Sequence, residues 1–582
     1  MKSSLLARPS RLACLPATAQ ATGEELKAAH APHELTAEQL SFHVALDDSF
    51  ATTSEFPPRE DFDGQERALA ALELGLGVAG GGYNIFVSGL AGTEKFAALQ
   101  QWITRRVAAS PTPGDWAYVH NFKHPDAPCA IYLRAGEGAR LKEKMHNLVK
   151  SLRDQLPKAF RQEDFDQEKE QLREKYNRRA QDLHAAFEKL AREKGFLLRA
   201  GPGGQIFFIP IINDKPMESP EEFSQLSEEE RENIGRRQQE LAVEMERLGR
   251  KQHEVMREME SDIRLVERRF CENLLSPLIA EIEREIENEE VGAYLAEVKE
   301  HILNNLDDFK EAERALPFAP YPQATPHERD PSLEYDVNVV VDNTDTKGAP
   351  VLIETSPTYL NLFGTIERVV DRFGRIVTNF TRIRSGSLLR AHGGYLIFSL
   401  DDAITEPAVW KVLKRTLKSG RIELETYEPF ALFSTSGLKP EAVKIDTKVI
   451  VAGSPFSYYL LYTWDEEFRE IFKVRADFRR VMELERNHLL TYAQWAAKVC
   501  REESLPHLDR AAVERIIEFG ARQAGDREKV LASYTEVADL VREAAFWSRK
   551  ENGQLVSARH VEKAIDNRVF RSNRIEEEIR EL

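Results

Sequence analysis

The stretch that decides the fold is residues 83–96, which read Tyr-Asn-Ile-Phe-Val-Ser-Gly-Leu-Ala-Gly-Thr-Glu-Lys-Phe. A short apolar strand runs into a glycine-rich turn, and a helix follows. This is the layout of a phosphate-binding P-loop, whose pattern is Gly, four residues, Gly, Lys and then Ser or Thr. Gly89 opens the pattern, Gly92 lies inside it, and Lys95 takes the position of the lysine. The stretch therefore predicts an α/β fold built around a nucleotide site.

Two residues of this loop depart from the pattern. Glu94 occupies the position of the second glycine, and Phe96 occupies the position of the hydroxyl residue. A carboxylate about 4 Å from a phosphate charge costs about 1 kcal/mol in water and about 4 kcal/mol at an effective dielectric constant of about 20. Phe96 has no oxygen with which to hold Mg²⁺. We therefore expect a vestigial site with no bound cofactor, unless ATP and Mg²⁺ bind in an unusual way.

Composition limits the class of protein. A chain of 582 residues is too long for one core, so about three domains are expected. The net charge of −17 argues against nucleic acid as a partner, because phosphate binding needs clustered Lys and Arg. No apolar run approaches the roughly 20 residues of a membrane span, so we expect no membrane partner.

The four cysteines lie far apart in the sequence, at Cys14, Cys129, Cys271 and Cys500. They form no CxxC pair, which favours reduced thiols over a disulfide framework or a metal site. This usage predicts a cytoplasmic protein. The apolar residues near the N-terminus are interrupted by Arg8-Pro9-Ser10-Arg11, which favours a leader over a secretory signal.

The chain divides into five predicted ranges. Residues 1–55 form the leader, and residues 56–135 begin an α/β domain. Residues 136–315 are rich in Glu, Lys, Arg, Gln and Leu and interrupt that domain, which resumes at 316–485. Residues 486–582 are helical, with Asp509 and Ser557 placed to cap helices.

The α/β part is predicted to contain one parallel sheet. Its strands are expected at 85–87, 116–119, 335–341, 349–354, 393–402, 448–454 and 472–478. The helix before the first strand is expected at 61–74, with Gly75 as its end.

The interruption carries a heptad-like apolar pattern on two segments. The seam positions are Phe165, Leu172, Tyr176, Leu183, Phe187 and Leu190, and then Leu241, Met245, Leu248, Val255, Met259 and Val266. Two such segments predict an antiparallel coiled-coil hairpin. Apolar runs on both sides of the turn Gly201–Gly204 predict a β-hairpin at its tip. The arm is either a rigid strut or a device that guides substrates or joins copies of the chain.

Several motifs in a fixed order resemble a known family. An apolar strand ending in acidic residues, a later strand ending in Gly-Ser and a helical region look like an AAA+ module. Further motifs resemble the Lon-related (Lon-like) protease family with an inserted coiled coil, over about 62–579. They are Gly-Gln-Glu-Arg-Ala (64–68), Gly-Tyr-Asn-Ile-Phe-Val (82–87), Val-Asn-Val (337–339), Pro-Thr-Tyr-Leu-Asn-Leu (357–362) and Ala-Asp-Phe (476–478).

The resemblance implies an AAA+-like P-loop domain with a coiled-coil insertion and a C-terminal helical lid. It further implies a homo-oligomeric ring, hexameric in the family, that acts on unfolded protein substrates. The family continues past the lid into a peptidase domain with a Ser-Lys dyad. This sequence stops at Leu582, where that domain would begin, so we expect the peptidase to be absent from it.

The resemblance also assigns residues to the nucleotide site. The metal-holding and base positions fall on Ser399 and Leu400, and Asp401 and Asp402 lie two residues further on, about 6.6 Å along an extended strand. A bulge would be needed to recruit them. Arg527 matches the sensor arginine of the lid.

Two other positions carry weaker assignments. Ser454 stands at a polar sensor position, and Arg479 or Arg480 would be a finger reaching a neighbouring subunit. Each arginine assigned here is also compatible with a surface ion pair.

Three hypotheses follow. The first is an AAA+-like module that does not hydrolyse ATP and presents unfolded protein to a peptidase. The second is a working ATPase that uses Asp401 or Asp402 to hold Mg²⁺. The third is a non-enzymatic coiled-coil scaffold or adaptor that kept the fold after losing both activities.

Overall fold

The protein is described here from a computed structural model. The structure describes residues 42–47, 50–57, 62, 65–89, 93–200, 206–212, 215–217, 226–310, 331–370, 374, 376–424 and 437–581. Two compact units make up the chain. The large unit is 67–477, and the small unit joins 478–582 to the described part of 1–66.

The longer strands follow one another along the chain as β1 (Ile85–Ser88), β2 (Asp115–Val119), β3 (Cys129–Leu133), β4 (Phe196–Ala200), β5 (Ile206–Ile212), β6 (Lys215–Pro216), β7 (Val337–Val341), β8 (Val351–Glu354), β9 (Tyr395–Ser399), β10 (Lys448–Gly453), β11 (Val474–Asp477), β12 (Val481–Glu483) and β13 (Lys529–Leu531). Shorter antiparallel pairs join Gly364–Ile366 to Ile383–Ser385, Val369–Val370 to Ile376–Val377, and Arg421–Ile422 to Val443–Lys444.

The longer helices are α1 (Glu66–Gly77), α2 (Thr93–Val107), α3 (Glu137–Ala159), α4 (Glu163–Glu193), α5 (Glu228–Glu285), α6 (Glu289–Asn304), α7 (Leu400–Thr405), α8 (Val409–Ser419), α9 (Pro455–Trp464), α10 (Glu466–Ile471), α11 (Arg486–Glu502), α12 (Arg510–Ala524), α13 (Tyr534–Lys550), α14 (Ala558–Ser572) and α15 (Arg574–Glu581). Short helices lie at Asp307–Lys310, Tyr359–Phe363 and Ser387–Arg390.

A five-stranded parallel sheet is the centre of the large unit. Its order is β11-β1-β10-β9-β8, so β1 lies between the two strands that come last in the chain. Ile85 stands opposite Ile450 on one side and Val474 on the other. The strands are apolar along most of their length because helices cover both faces of such a sheet. The apolar runs within 393–402 and 448–454 predicted two of these strands.

Strands β2 and β7 do not belong to the parallel sheet, so that part of the prediction was wrong. They form a separate antiparallel sheet in the order β3-β2-β7. A connection of nine residues (120–128) joins β2 to β3, and a connection of this length is far too short for the crossover that parallel pairing requires. Tyr118 faces the core of the parallel sheet, whereas Ala117 and Val119 face a second core made with helices.

That second core is the base of the helical insertion. Helix α3, helix α6 and the last part of α5 pack on the antiparallel sheet through Leu141, Leu275, Leu295 and neighbouring apolar residues, all buried. The insertion thus leaves from one side of this small sheet and returns to it at β7. Its base is fixed by its own hydrophobic core.

Beyond the base, α4 and α5 pair as an antiparallel arm. The contacts Glu168–Arg269, Arg179–Glu258 and Lys194–Glu240 run in opposite directions along the two helices. The predicted seam residues are buried or partly buried, among them Tyr176 and Leu241. Helix α5 has 58 residues and is therefore about 87 Å long.

The tip of the arm is a small sheet, β4-β5-β6, with antiparallel pairs. The predicted β-hairpin is present, and β6 extends it. The turn Gly201–Gly204 lies outside the described residues. Phe196 is buried where the hairpin packs on the helices of the arm, so the tip has a small core of its own.

The helix before β1 does not end at Gly75, contrary to the prediction. Helix α1 continues to Gly77, and Gly75 lies inside it. A β-carbon on Gly75 would stand 2.5 Å from Cδ1 of Ile85. The position needs glycine because the helix packs closely on β1. The predicted start at residue 61 lies outside the described residues.

In the small unit, helices α11–α14 surround a core that includes Val513, Ile517 and Leu540. Asp509 caps α12, accepting a hydrogen bond from the backbone N–H of Ala512 at 2.7 Å, as predicted. The leader prediction needs a correction, because Leu46 and Phe50 are buried in this same core. Within the part of the chain that the structure describes, no helix is long and apolar enough to cross a membrane.

Candidate nucleotide site

The candidate site lies where the parallel strands end. The register places Ser88 beside both Gly453 and Asp477, and Ser399 beside Ala452. In α/β sheets of this kind, ligands bind beyond the carboxyl ends of the strands. The fold therefore brings the predicted loop and the predicted acidic residues to one edge of the sheet.

Of the loop after β1, the structure describes Gly89 and the start of the helix that follows. Gly89 has a φ of +84°, a backbone conformation that glycine adopts without strain. Gly92 lies outside the described residues. Helix α2 begins at Thr93, so Lys95 lies in its first turn, where a P-loop lysine is expected. Phe96 follows it in the same turn and is partly buried.

The end of β9 holds no carboxylate. Ser399 is the last residue of the strand, and its hydroxyl accepts a hydrogen bond from the backbone N–H of Asp402 at 3.3 Å, which caps α7. Leu400 is fully buried in the core. The pairing of β9 with β8 and with β10 continues without a shift of register. The bulge needed to bring Asp401 and Asp402 back to the strand end is not formed.

Asp401 holds the start of another helix. Its Oδ1 accepts a hydrogen bond from the hydroxyl of Ser457 at 2.5 Å, and its Oδ2 accepts one from the backbone N–H of Ser454 at 3.3 Å. Ser454 itself caps α9, accepting from the N–H of Ser457 at 3.0 Å. Asp402 is exposed in the first turn of α7. The residue at the predicted sensor position is therefore a helix cap tied to Asp401.

A second polar network at this edge escaped the sequence analysis. The hydroxyl of Ser88 donates to Asp477, and Nη2 of Arg475 lies 3.1 Å from the same carboxylate. Arg475 also donates to the hydroxyl of Tyr459 at 3.1 Å, and its guanidinium lies 4.4 Å from the centre of the Tyr458 ring. Burial raises the pKa of Tyr458. The sequence pattern that could have revealed this network is the pair Arg475 and Asp477, two residues apart and so on one face of a short strand.

The remaining predicted site residues belong to the small unit. Arg527 is exposed in the turn between α12 and β13. Arg479 and Arg480 are exposed as well, and the backbone of Arg479 is held by the side chain of Gln65 through bonds of 2.8 and 3.0 Å.

The described side chains at this edge do not form a metal-binding set. No group of three or more His, Cys, Asp or Glu residues suited to a metal ion occurs among the residues the structure describes. Phe96 and Leu400 carry no ligating atom, and the carboxylate of Asp401 already accepts two hydrogen bonds. Mg²⁺ prefers several oxygen ligands in octahedral geometry. The residues present therefore fit poorly to ATP held with Mg²⁺.

Comparison with known families gives three matches, each to a different part of the chain. A model described as "LonB-like, AAA domain" matches residues 347–479. The "Archaeal LonB, AAA+ ATPase LID domain" matches 507–571, and the "Lon-like LonC helical domain" matches 115–148. These segments contain most of the parallel sheet, helices α12–α14 of the small unit and the start of the helical insertion.

One curated relative is an "Archaeal Lon protease" from Archaeoglobus fulgidus, 25% identical over 228 residues. The match covers 39% of this chain and 36% of the relative, so the chain spans about a third of that protein's length.

Solved structures with partial likeness include NtrX from Brucella abortus, at 14% identity, with a TM-score of 0.25 and coverage of 36% and 43% of the two chains. A full-length MCM homolog from Methanopyrus kandleri has 16% identity and a TM-score of 0.15, covering 37% and 44%. Likenesses this weak add nothing to the assignment.

The parallel sheet with its P-loop-like turn, the helical insertion and the helical lid define an AAA+-like fold. Within that class, the three family matches and the archaeal relative support a relation to the Lon-related family.

Proposed function

We propose that this chain is the AAA+-like module of a Lon-like protease, and that it works without hydrolysing ATP. It assembles into a ring, hexameric by family resemblance, which gates or presents unfolded protein to a Ser-Lys peptidase domain outside these 582 residues. Its place is the cytoplasm, where its cysteines stay reduced. The three cysteines that the structure describes are unpaired, which fits that location.

The end of β9 carries the proposal. In the family the residues after this strand hold the metal and activate water, and here they are Ser399 and Leu400. Ser399 is used to cap a helix, and Leu400 is buried in the core. A substitution that merely removed a ligand would leave a gap open to water. Here Leu400 fills the position as part of the hydrophobic core. This supports a site whose residues now stabilise the fold and no longer bind metal.

The working-ATPase alternative depends on Asp401 or Asp402. Both oxygens of Asp401 accept hydrogen bonds that fix the start of α9, so binding Mg²⁺ would break them. Asp402 is exposed in the first turn of α7, and it offers one carboxylate only. These contacts favour the inactive module over the atypical ATPase.

The test is phosphate release from Mg-ATP by the full chain and by Lys95→Ala. We expect no difference between the two proteins, and calorimetry should detect no Mg²⁺-dependent binding of ATP. Turnover by the wild type that disappears in Lys95→Ala would overturn the proposal. The Asp401→Ala variant separates the alternatives further, because loss of an existing turnover in that variant would identify Asp401 as the metal ligand.

A second experiment addresses the protein substrate. The chain should retain an unfolded model protein such as casein in a pull-down, and should not retain folded proteins of similar charge. Retention that requires ATP would contradict an ATP-independent module. Absence of retention under any condition would favour the scaffold hypothesis.

A further inference from the structure

The segment that precedes β10 connects the two sheets of the large unit, and we call residues 439–446 the bridging segment. The backbone N–H of Lys439 donates to the carbonyl of Asp126 at 2.7 Å. The backbone N–H of Glu441 donates to the carbonyl of Pro128 at 3.0 Å. Both carbonyls belong to the connection between β2 and β3. The bridging segment is therefore held to the antiparallel sheet at one end, and it continues into the parallel sheet at the other.

Two further hydrogen bonds strengthen the attachment to the antiparallel sheet. The hydroxyl of Tyr118 on β2 donates to the carbonyl of Glu441 at 2.9 Å. The backbone N–H of Ala130 on β3 donates to the Glu441 carboxylate at 3.2 Å. Tyr118 is fully buried, so this end of the bridging segment is anchored at a core residue and does not depend on a single bond.

The other end of the bridging segment is held by the turn before β9. The backbone N–H of Asp446 donates to Nδ1 of His392 at 3.1 Å. The carbonyl of Asp446 accepts a hydrogen bond from the backbone N–H of Gly393 at 2.8 Å. An imidazole that accepts at Nδ1 is neutral and carries its proton on Nε2, so it has no second lone pair to offer. The first of these two bonds therefore requires an uncharged His392.

The ring of His392 also contacts the antiparallel sheet. It lies at 77° to the rings of Trp116 on β2 and Tyr132 on β3, with 6.0 and 5.6 Å between the ring centres. Nε1 of Trp116 is buried and has no hydrogen-bond partner among the described residues. One buried donor in this cluster already lacks an acceptor, so the cluster has none to spare for a second donor.

The surroundings of His392 favour the neutral ring. Burial lowers the pKa of His392, the carboxylate of Asp446 opposes this shift, and the ammonium group of Lys444 adds to it. Tyr132 is the titratable residue on β3 that faces the ring, and β2 contributes Trp116, which does not titrate. Because the pKa in the folded chain lies below the ordinary histidine value of about 6.5, the neutral ring stabilises the joint fully above about pH 6.5. That stabilisation is lost as the pH falls from there to the pKa of the folded chain.

We propose that His392 is a proton-sensitive latch between the parallel sheet and the antiparallel sheet on which the base of the arm packs. Neutral His392 holds the bridging segment against the turn before β9. In mild acid the ring takes up a proton at Nδ1, and the N–H of Asp446 loses its acceptor. The bond from Gly393 alone then holds this end of the segment, and the contact between the two sheets loosens there. The latch does not rest on the proposed function.

The test is hydrogen exchange of the full chain, followed by mass spectrometry at pH 7.5 and pH 5.5 and corrected for the intrinsic pH dependence of exchange. His392→Gln keeps an uncharged acceptor at this position, whereas His392→Ala removes the acceptor at every pH. His146→Gln is the matched control, because His146 is exposed on α3 of the base. Thermal unfolding at pH 7.5 checks that each variant is folded.

We expect exchange in the bridging segment of the wild type to be about fivefold faster at pH 5.5 than at pH 7.5, the usual effect of losing one hydrogen bond. His146→Gln should behave like the wild type, and His392→Gln should show no such rise. His392→Ala should exchange fast at both pH values. An equal rise in the wild type and in His392→Gln would overturn the inference, because the proton would then act elsewhere. No rise in the wild type, or slow exchange in His392→Ala, would overturn it as well.

A second measurement follows the latch in the wild-type chain itself. Histidine ring signals are recorded by NMR over a pH range on protein with isotope-labelled histidine. The signal that is missing from the spectra of both His392→Gln and His392→Ala belongs to His392. We expect this signal to titrate below the ordinary histidine value. Titration at or above that value would overturn the inference, since the ring would then be charged where the latch requires it to be neutral.

Discussion

Two regions of the large unit each use an aspartate to hold a helix start, yet they differ in burial. At the base of the arm, Asp115 is fully buried at the beginning of β2. It accepts hydrogen bonds from the backbone N–H groups of Asn343 at 2.8 Å, Gly136 at 2.8 Å and Gly138 at 2.9 Å. Burial raises the pKa of the Asp115 carboxyl, and the three donors oppose that shift.

At the end of the parallel sheet, Asp401 is exposed and accepts two hydrogen bonds at the start of α9. Water can replace either bond. The comparison shows that an acidic residue next to a buried strand is not in itself a sign of chemistry. Asp401 follows the strand where a metal ligand is expected, and Asp115 follows an unremarkable Pro-Gly turn. Burial and the number of hydrogen-bond donors indicate that the fold depends on Asp115 more than on Asp401.

The largest expected effect is that of Asp115→Ala. Three N–H groups, two of them buried and one partly buried, would lose their acceptor, and each unsatisfied buried group costs about 1–3 kcal/mol. We expect the free energy of unfolding of the large unit to fall by about 3–5 kcal/mol. Urea unfolding followed by tryptophan fluorescence measures it, since Trp116 is the next residue.

Asp401→Ala is the matched control for that measurement. Its donors are open to water, so the loss should stay below about 1 kcal/mol. Equal losses of unfolding free energy in the two variants would contradict this prediction. They would show that exposure does not determine how much each aspartate stabilises the fold.

Part of the sheet structure could be predicted from the sequence, and part of it could not. The strands β1, β8, β9 and β10 were predictable because strands covered on both faces are largely continuous apolar runs. The partners of β2 and β7 were not, because a strand pattern gives no information about which edge the strand joins. The antiparallel sheet depends on β3, whose pattern is short and was overlooked.

At the candidate site, too, the positions of some residues could be predicted from the sequence, whereas their long-range contacts could not. The positions of Gly89, Lys95 and Ser399 followed from local order along the chain. The bonds from Asp401 to Ser457 and from Asp477 to Ser88 join residues far apart in sequence, and they follow only from the parallel register. The exposure of the apolar side chains of α9, among them Phe456 and Trp464, could not be predicted for a different reason. An apolar run predicts burial and gives no indication of exposure.

A smaller effect is expected inside the arm. Tyr176 is buried in the seam, and its hydroxyl donates to Asp262 at 2.6 Å. Tyr176→Phe removes this hydrogen bond and keeps the ring, so the arm should lose about 1 kcal/mol of stability. Hydrogen exchange of the amides of α4 and α5 measures the change, because it reports the local opening of each element.

Arg178→Ala is the control within the same helix. Its ion pair with Glu174, 3.2 Å long, is exposed and should contribute no more than about 0.5 kcal/mol. Faster exchange in the base as well as in the arm of Tyr176→Phe would mean that the two share one cooperative unit.

The smallest effect on the two sheets should come from the largest change in sequence, the deletion of 165–270. The rings of Phe165 and Phe270 lie 5.3 Å apart between their centres, so a short flexible linker can join the cut ends. The core of the base survives, because its contribution from α5 begins at Cys271. Separate cores can fold separately, and the shortened chain should keep a cooperative thermal transition close to that of the wild type. If that transition is lost, the arm belongs to the core of the base, and the predicted domain division is wrong. If the chain stays folded but no longer assembles or retains casein, the arm has a function beyond that of a strut. Retained folding, assembly and substrate binding would leave the strut interpretation standing.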